Sequence, residues 1–323
     1  MSFSSLLKTK YFVDKNRDVH HTIILAGTGR SGTTWLSNVI NYDNKYRYMF
    51  EPLFPNEVPL VKENNIGWNT YIRPGCRDDK RLVMLETILS GELRNTWVDR
   101  LNKKILVKDR LIKVIRGNMI LKWIHQVYPY VPKVFVIRHP FAVANSIIKN
   151  NWIKDNEKFS LKDQFYSQEK LVEDFLGPLN IDISNITELF DKLVFVWCVQ
   201  NYVPIRQFKH DEIYFCFYED LCTNPEIELP KLFNYLGKKI DDRIYDVITI
   251  PSNQARANSA IRRGESLIES WKKSVTIEEK IRAQQILNIF GFESLYDEYS
   301  MPNHDVFKGL FGRGRKVGFS GPT

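Results

Sequence analysis

The sequence predicts one α/β domain, a central parallel sheet flanked by helices on both faces. Three observations lead there. Short β-branched runs alternate with helix-spaced ones along most of the chain. The first of those runs ends in a glycine-rich turn that opens a helix, as happens at the carboxyl edge of a parallel sheet. No linker rich in Ser, Gly or Pro, and no internal repeat, divides the 323 residues.

The elements follow in order. "TIILAG" (22–27) is a β-branched run closed by Gly27, the pattern of a strand covered on both faces. "RYMFEP" (47–52) is a second strand, stopped by Pro52, and "DDKRLVMLETILSGEL" (78–93) carries apolar residues at helical spacing. "KILVK" (104–108) is expected as the next strand, and "GNMILKWIHQVYP" (117–129) as a helix closed by Pro129. "KVFVIRHP" (133–140) is the clearest strand, and "FAVANSIIKN" (141–150) is the helix after it. Residues 153–185 are polar and weakly periodic, and are expected as an irregular lid over a substrate. A long helix follows at 186–208, a strand running into a loop at 212–221, and a helix at 225–237 ended by Gly237. The helix at 274–291 has Thr276 and Glu279 at capping-box spacing and ends at Gly291. The expected boundaries are an arm over 1–20, the domain over 21–300 and a flexible basic tail over 301–323.

The composition, 43% hydrophobic and 13% aromatic, supplies a core and excludes long disorder. A net charge of +8 favours anionic partners, yet no run of consecutive Lys or Arg points to nucleic acid. Cys76, Cys198, Cys216 and Cys222 have neither metal-type spacing nor a disulfide pattern. The first residues lack the apolar core of a signal peptide, and no apolar run reaches membrane-spanning length. The expectation is a soluble cytoplasmic protein.

"AGTGRSGTT" sits where a parallel sheet binds ligands. Glycines let successive N–H groups converge on an anion, the following helix adds its positive end, and Thr33 and Thr34 add hydroxyls. A nucleotide triphosphatase loop has Lys before its Ser/Thr pair; here that slot is Thr33, and the nearest cation is Arg30. Such an enzyme also needs an acid for Mg²⁺ at a neighbouring strand end, whereas "KVFVIR" ends in Arg138 and "KILVKD" offers only Asp109, an imperfect match with Lys108 intervening. Side chains, rather than a metal, are expected to neutralise the bound anion.

With these residues in view, "GTGRSGTTWL" resembles the 5′-phosphosulfate loop of the sulfotransferases that use 3′-phosphoadenosine 5′-phosphosulfate (PAPS), a P-loop-like fold. The matching residues are Arg30, Ser31, Gly32, Thr33, Thr34 and Trp35. The resemblance implies that Arg30 faces the sulfate-bearing phosphate and makes Trp35 a candidate to stack on adenine, against a plain role in the core. "VFVIRHPFAVANSIIK" is similar to the family's 3′-phosphate segment, which implies that Arg138 and Ser146 bind that phosphate. "FYEDL" is similar to the segment that closes the family's sheet, with Tyr218 near the nucleotide and Glu219 and Asp220 bracing the fold. "IRRGESLIESWKK" resembles the Arg-Lys-Gly loop, with Arg262, Arg263 and Gly264 on the 3′-phosphate and two extra residues before Trp271.

The family's two branches differ in the base. Cytosolic members have His in a Lys-Thr-His stretch after a strand; the matching "VKDRL" keeps Lys108 but has Asp109 and Arg110 in place of Thr and His. Carbohydrate members carry Glu in a Phe-Glu-Pro-Leu stretch, and "MFEPLF" supplies Glu51. The implied scheme has Glu51 as base, with His139 as second choice, and Arg30 and Lys108 neutralising the sulfuryl group. It needs PAPS as donor and no metal. The acceptor is expected to be a hydroxyl, or an amine-type nitrogen, on a glycan, glycolipid or small polar metabolite. It would bind near Trp68, Tyr71, Arg73, Trp152 and Tyr166. Two other readings remain open at this point: a P-loop kinase or nucleotidase, and a non-catalytic polyanion-binding protein.

Overall fold

The computed structural model describes residues 12–153, 155–250 and 268–311. Its centre is a five-stranded, all-parallel sheet. With a two-residue strand β1 at Val13–Asp14, the sheet strands are β2 (Thr22–Gly27), β3 (Tyr46–Phe50), β5 (Asp109–Val114), β6 (Lys133–Ile137) and β7 (Tyr214–Phe217). They lie in the order β3-β5-β2-β6-β7. A short β4, Leu106–Val107, pairs with β1 outside this sheet.

Alternate residues of each strand feed two apolar layers. Ile23 and Leu25 face one layer with Leu111, Val134 and Val136. Ile24 and Ala26 face the other with Ile112, Phe135 and Ile137. Helices α1 (Thr33–Ile40), α6 (Tyr218–Thr223) and α7 (Pro225–Tyr235) cover the first face. Helices α2 (Asp79–Leu89), α3 (Leu121–Val127), α5 (Leu189–Gln207) and α8 (Ile277–Phe290) cover the second. Burial on both sides is why the strands read as continuous apolar runs. Each large side chain taken wholly from water, such as Leu25 or Phe135, contributes about 1.5–3 kcal/mol.

The expected strand at 104–108 is displaced. The sheet strand is 109–114, "DRLIKV", and only Leu106 and Val107 of the expected run are extended, pairing with the N-terminal arm. Arg110 and Lys113 interrupt the apolar pattern, and both are buried because each has a partner. Arg110 joins a fully internal ion cluster: its Nη1 is 3.1 Å from Asp14 Oδ1, while Arg47 Nε is 2.9 Å from Asp99 Oδ1. Arg47 also donates to the carbonyls of Gly91 and Leu93, both at 2.6 Å. This cluster fastens β1 beneath the amino ends of β3 and β5.

The remaining elements follow the sequence closely. Helix α4 (Pro140–Lys149) begins with His139 as its cap, the imidazole accepting from Phe141 N at 3.2 Å. Thr276 and Glu279 form the reciprocal capping box at the start of α8, and Gly291 ends it with φ 72°. Residues 155–185, expected as part of an irregular lid, contain a series of short helical turns between Lys162 and Asn185. Beyond residue 300, helix α9 (His304–Leu310) packs Phe307 against Phe215 and Phe217, at 5.4 and 5.1 Å between ring centroids.

Candidate functional site

The loop between β2 and α1 turns at Gly32, whose φ of 94° makes it the left-handed N-cap of α1. A β-carbon there would run into the Tyr218 ring, so both the backbone conformation and the close approach require glycine. Ser31 is wholly buried and donates to the carbonyl of Thr28 at 2.7 Å, closing the loop on itself. Thr33 and Thr34 form the first turn of α1, so their N–H groups belong to the helix's unpaired amino end. Thr28 is itself buried, and its hydroxyl has no hydrogen-bond partner among the described residues.

Arg30, Arg138 and Ser146 meet at the rim of this loop. Arg30 Nε donates to Ser146 Oγ at 3.0 Å, and Arg138 Nη1 donates to the Arg30 carbonyl at 3.2 Å. Arg30 therefore shares the position of the expected 3′-phosphate pair in this structure. The Arg138 guanidinium lies 4.3 Å from the centroid of the Tyr218 ring, and that ring packs edge-on against Trp35 at 5.6 Å. Trp35 is buried within the core layer, with its indole N–H donating to Ile248 O at 3.1 Å. Arg262, Arg263 and Gly264 lie outside the described residues.

Glu51 follows β3 at the same carboxyl edge, and its surroundings are cationic. Lys113 Nζ is 2.5 Å from Oε1, and Arg116 Nη1 bonds Oε2. Burial alone would push the carboxyl pKa up; the two cations outweigh burial and hold it below the ordinary glutamate value. Burial presses Lys113 down to about 8 despite the attraction of Glu51. Arg116 is stacked between Phe54 and Trp68, with each ring centroid 3.9 Å from its guanidinium carbon. Glu51 has φ 48° and Arg30 φ 70°. The other non-glycine residues with positive φ among those described are four asparagines, which tolerate it, and Ser300. Of the three strained positions among the described residues that are neither glycine nor asparagine, two are thus charged site residues.

Lys108 does not join them. It is exposed before β5, and the register of Arg110 against Thr22 puts it at the amino edge of the sheet. Five residues of strand, roughly 16 Å, separate it from Lys113. The lysine that stands beside Glu51 is Lys113.

His139 is buried against Trp271, 4.5 Å away and nearly parallel. Burial, then the charges of Arg138 and Lys272, press its pKa down to about 3, leaving a neutral capping ring at physiological pH. Glu219 accepts from His139 N at 2.9 Å and is pushed up to about 7 by burial, in keeping with a bracing role.

A cavity opens directly from the loop, lined by Thr28, Gly29, Arg116, Trp68, Trp152 and residues of α4 and α5. Trp152 covers Gly29 on one side, and Ile153, Phe159 and Gln164 of the 153–185 segment contribute to the wall. Tyr71 and Arg73 lie elsewhere: both bond Asp174, at 2.7 Å and 2.5 Å, and tie that segment to the domain. Tyr166 borders a separate surface depression.

The profile described as "Sulfotransferase family" matches residues 22–242, more than two thirds of the chain. The chain belongs to the sulfotransferase family. Solved sulfotransferase structures are similar to this sulfotransferase at low identity. Mouse sulfotransferase SULT7A1 complexed with PAP is 15% identical, with 96% of this chain and 93% of that one covered and a TM-score of 0.47. The sulfotransferase domain from the Synechococcus PCC 7002 olefin synthase is 16% identical, covering 83% and 94%, TM-score 0.47. The sulfotransferase domain from the curacin biosynthetic pathway is 15% identical, covering 86% and 97%, TM-score 0.46. No curated protein sequence matches the chain. No helix among the described residues is long and apolar enough to cross a membrane.

Three residues of this sulfotransferase's site escape the sequence reading: Thr28, Lys113 and Arg116. The signal for the cations is present in "LIKVIRG", where Lys and Arg stand three apart as a β-branched run ends. A strand expected at 104–108 has Lys108 at its carboxyl end, whereas the strand at 109–114 brings Lys113 there. Thr28 gives no signal beyond its place in the loop.

Proposed function

We propose that this enzyme transfers the sulfuryl group of PAPS to a hydroxyl by in-line displacement. The observation that carries the donor assignment is the convergence of Arg30, Arg138 and Ser146 on a loop whose glycine tolerates no side chain. The loop N–H groups and the amino end of α1 suit the 5′-phosphate. Arg138 and Ser146 suit the 3′-phosphate, and a guanidinium gives a phosphate the paired donors that lysine lacks. Arg30 is within reach of either group.

In this scheme Glu51, ionised by its two cations, takes the acceptor's hydroxyl proton as the new O–S bond forms and the S–O bond to the 5′-phosphate breaks. Arg116 must yield one carboxylate oxygen for this. Arg116 and Lys113 then stand beside the reacting oxygens and offset the charge that builds there. Thr28, buried and without a hydrogen-bond partner among the described residues, can donate to a sulfuryl oxygen. No step draws on Lys108.

Calorimetry tests the donor reading. 3′,5′-Adenosine bisphosphate (PAP) should bind far more tightly than AMP, because only PAP engages Arg138 and Ser146, and also more tightly than ATP. Equal affinity for PAP and AMP, or Mg²⁺-dependent turnover of ATP, would overturn it.

A further inference from the structure

Resting on the sulfotransferase reading, we infer that the acceptor is an alcohol with an apolar body and one uncharged amide-type group, read by a chain of side-chain amides on the cavity wall. Two features of the cavity carry this.

The first is its lining. Trp68, Trp152, Val143, Leu193 and Val196 surround the space, and Arg116 is the one charged residue among the described lining. A sugar brings a hydroxyl on nearly every carbon, and most of them would face hydrocarbon without a partner. An aliphatic or aromatic body meets no such penalty. Thr28 and Arg116 gather the polar groups at the inner end, beside the nucleotide loop, where the reacting hydroxyl belongs.

The second is a polar rail on one wall. Gln200 Nε2 donates to Asn69 Oδ1 at 2.6 Å, and Asn69 Nδ2 donates to Gln164 Oε1 at 2.6 Å. All three residues line the cavity. Gln168 braces the rail by donating to the backbone carbonyls of Asn69 and Gln164, at 2.7 and 2.6 Å. Running donor to acceptor, the chain ends in the Gln200 carbonyl oxygen and the Gln164 amino group. Neither end has a hydrogen-bond partner among the described residues. One end accepts and the other donates, which matches a secondary amide's N–H and C=O. A charged group would find no counter-ion on the rail to offset its loss of water. A cavity that needed only to exclude water would have no use for a fixed amide chain linking α5 to the 153–185 segment.

The test measures sulfuryl transfer from radiolabelled PAPS to three acceptors: a plain long-chain alcohol, an N-acyl amino alcohol of equal length, and a disaccharide. The N-acyl amino alcohol should exceed the plain alcohol in kcat/KM by about tenfold, the worth of one or two neutral hydrogen bonds, and the disaccharide should react least. Gln200→Leu and Gln164→Leu should each collapse the ratio between the two alcohols toward unity while PAP affinity stays at the wild-type value. That affinity is the control for folding. Preference for the disaccharide, an unchanged ratio in both variants, or no transfer to any of the three by protein that binds PAP would overturn the inference. Failure to bind PAP would instead overturn the donor reading.

Discussion

Glu51 Oε1 and Lys113 Nζ lie 2.5 Å apart across the carboxyl ends of two neighbouring strands, with Arg116 on the other carboxylate oxygen. The pairing keeps the carboxylate charged, and so ready to take a proton, at the cost of lowering its basicity. Replacing the charge while keeping the shape isolates its chemical role. Glu51→Gln should lower kcat by about 10²–10⁴-fold, the range for a lost general base, with PAP affinity unchanged by calorimetry. Near wild-type turnover would remove Glu51 from the chemistry and leave it a brace for its two cations.

The same pair predicts the pH profile. Glu51 is held below the ordinary carboxylate value, so it stays ionised, and its contribution to folding persists, until pH falls through that lowered value. The acid limb of kcat/KM should therefore begin below about pH 4.5. Lys113 is pressed down to about 8. Between pH 8 and its unfolded value the unfolded chain holds a proton that the folded chain has lost, so this group's effect on stability rises with pH while its cation disappears from the site. Activity should fall as pH passes through about 8. Lys113→Arg, which stays charged, should carry the plateau to higher pH; an unmoved alkaline limb would exclude Lys113 as its source.

The two lysines offer a direct comparison. Lys108→Ala should leave kcat/KM within about twofold, as surface substitutions away from a site do. Lys113→Ala should lower it by about 10²-fold or more, comparable to losing one preorganised donor. Steady-state kinetics on the pair checks both. Equal losses would mean that the amino edge of the sheet reaches the chemistry after all.

The sheet was legible because its strands are buried on two sides and so read as unbroken apolar runs. β5 was not, because Arg110 and Lys113 look like solvent-facing breaks until their partners, Asp14 and Glu51, are known. A single sequence contains no record of pairs 96 and 62 residues apart. The nucleotide loop was legible for the opposite reason: its chemistry is local, packed into Arg30 to Trp35. Its neighbours Arg138, Ser146 and Tyr218 could be placed only through resemblance, and the Trp35 ring, a candidate for adenine, is spent on Tyr218 and the core. The acceptor wall stayed hidden because Asn69, Gln164 and Gln200 come from three separate segments, each polar in an ordinary way.

Arg138 predicts a split between donor and acceptor. Its guanidinium is fixed over Tyr218 and against the Arg30 carbonyl, at the rim where the 3′-phosphate is proposed. A hydrogen bond to a charged group is worth about 1.5–3 kcal/mol, so Arg138→Ala should weaken PAP by about 10–150-fold with the acceptor KM almost unchanged. Calorimetry and steady-state kinetics together decide it. Matching losses for donor and acceptor would mean that the residue holds the loop rather than the nucleotide.

The ion cluster under the sheet predicts a stability effect with no functional counterpart. Arg47 is wholly buried, and its charge answers Asp99 and Asp14 while its remaining donors satisfy Gly91 and Leu93. Arg47→Met keeps the bulk but strands the buried Asp99 carboxylate and the Leu93 carbonyl, while Asp14 keeps Arg110 and the Gly91 carbonyl keeps Arg17. Breaking a buried pair from one side costs about 3–5 kcal/mol, a large part of a typical domain's 5–15 kcal/mol. Urea unfolding should register that loss at neutral pH. Lowering the pH should narrow the gap between the two proteins: burial already holds the Asp99 carboxyl above its ordinary value beside Arg47, and without that cation it rises further, so protonation relieves the variant more than the wild type. The surviving folded fraction should bind PAP with wild-type affinity, since β1 and the cluster lie at the amino edge and the nucleotide loop at the carboxyl edge. A gap that held constant to low pH would show that Arg47 stabilises by packing and by its two carbonyl bonds alone.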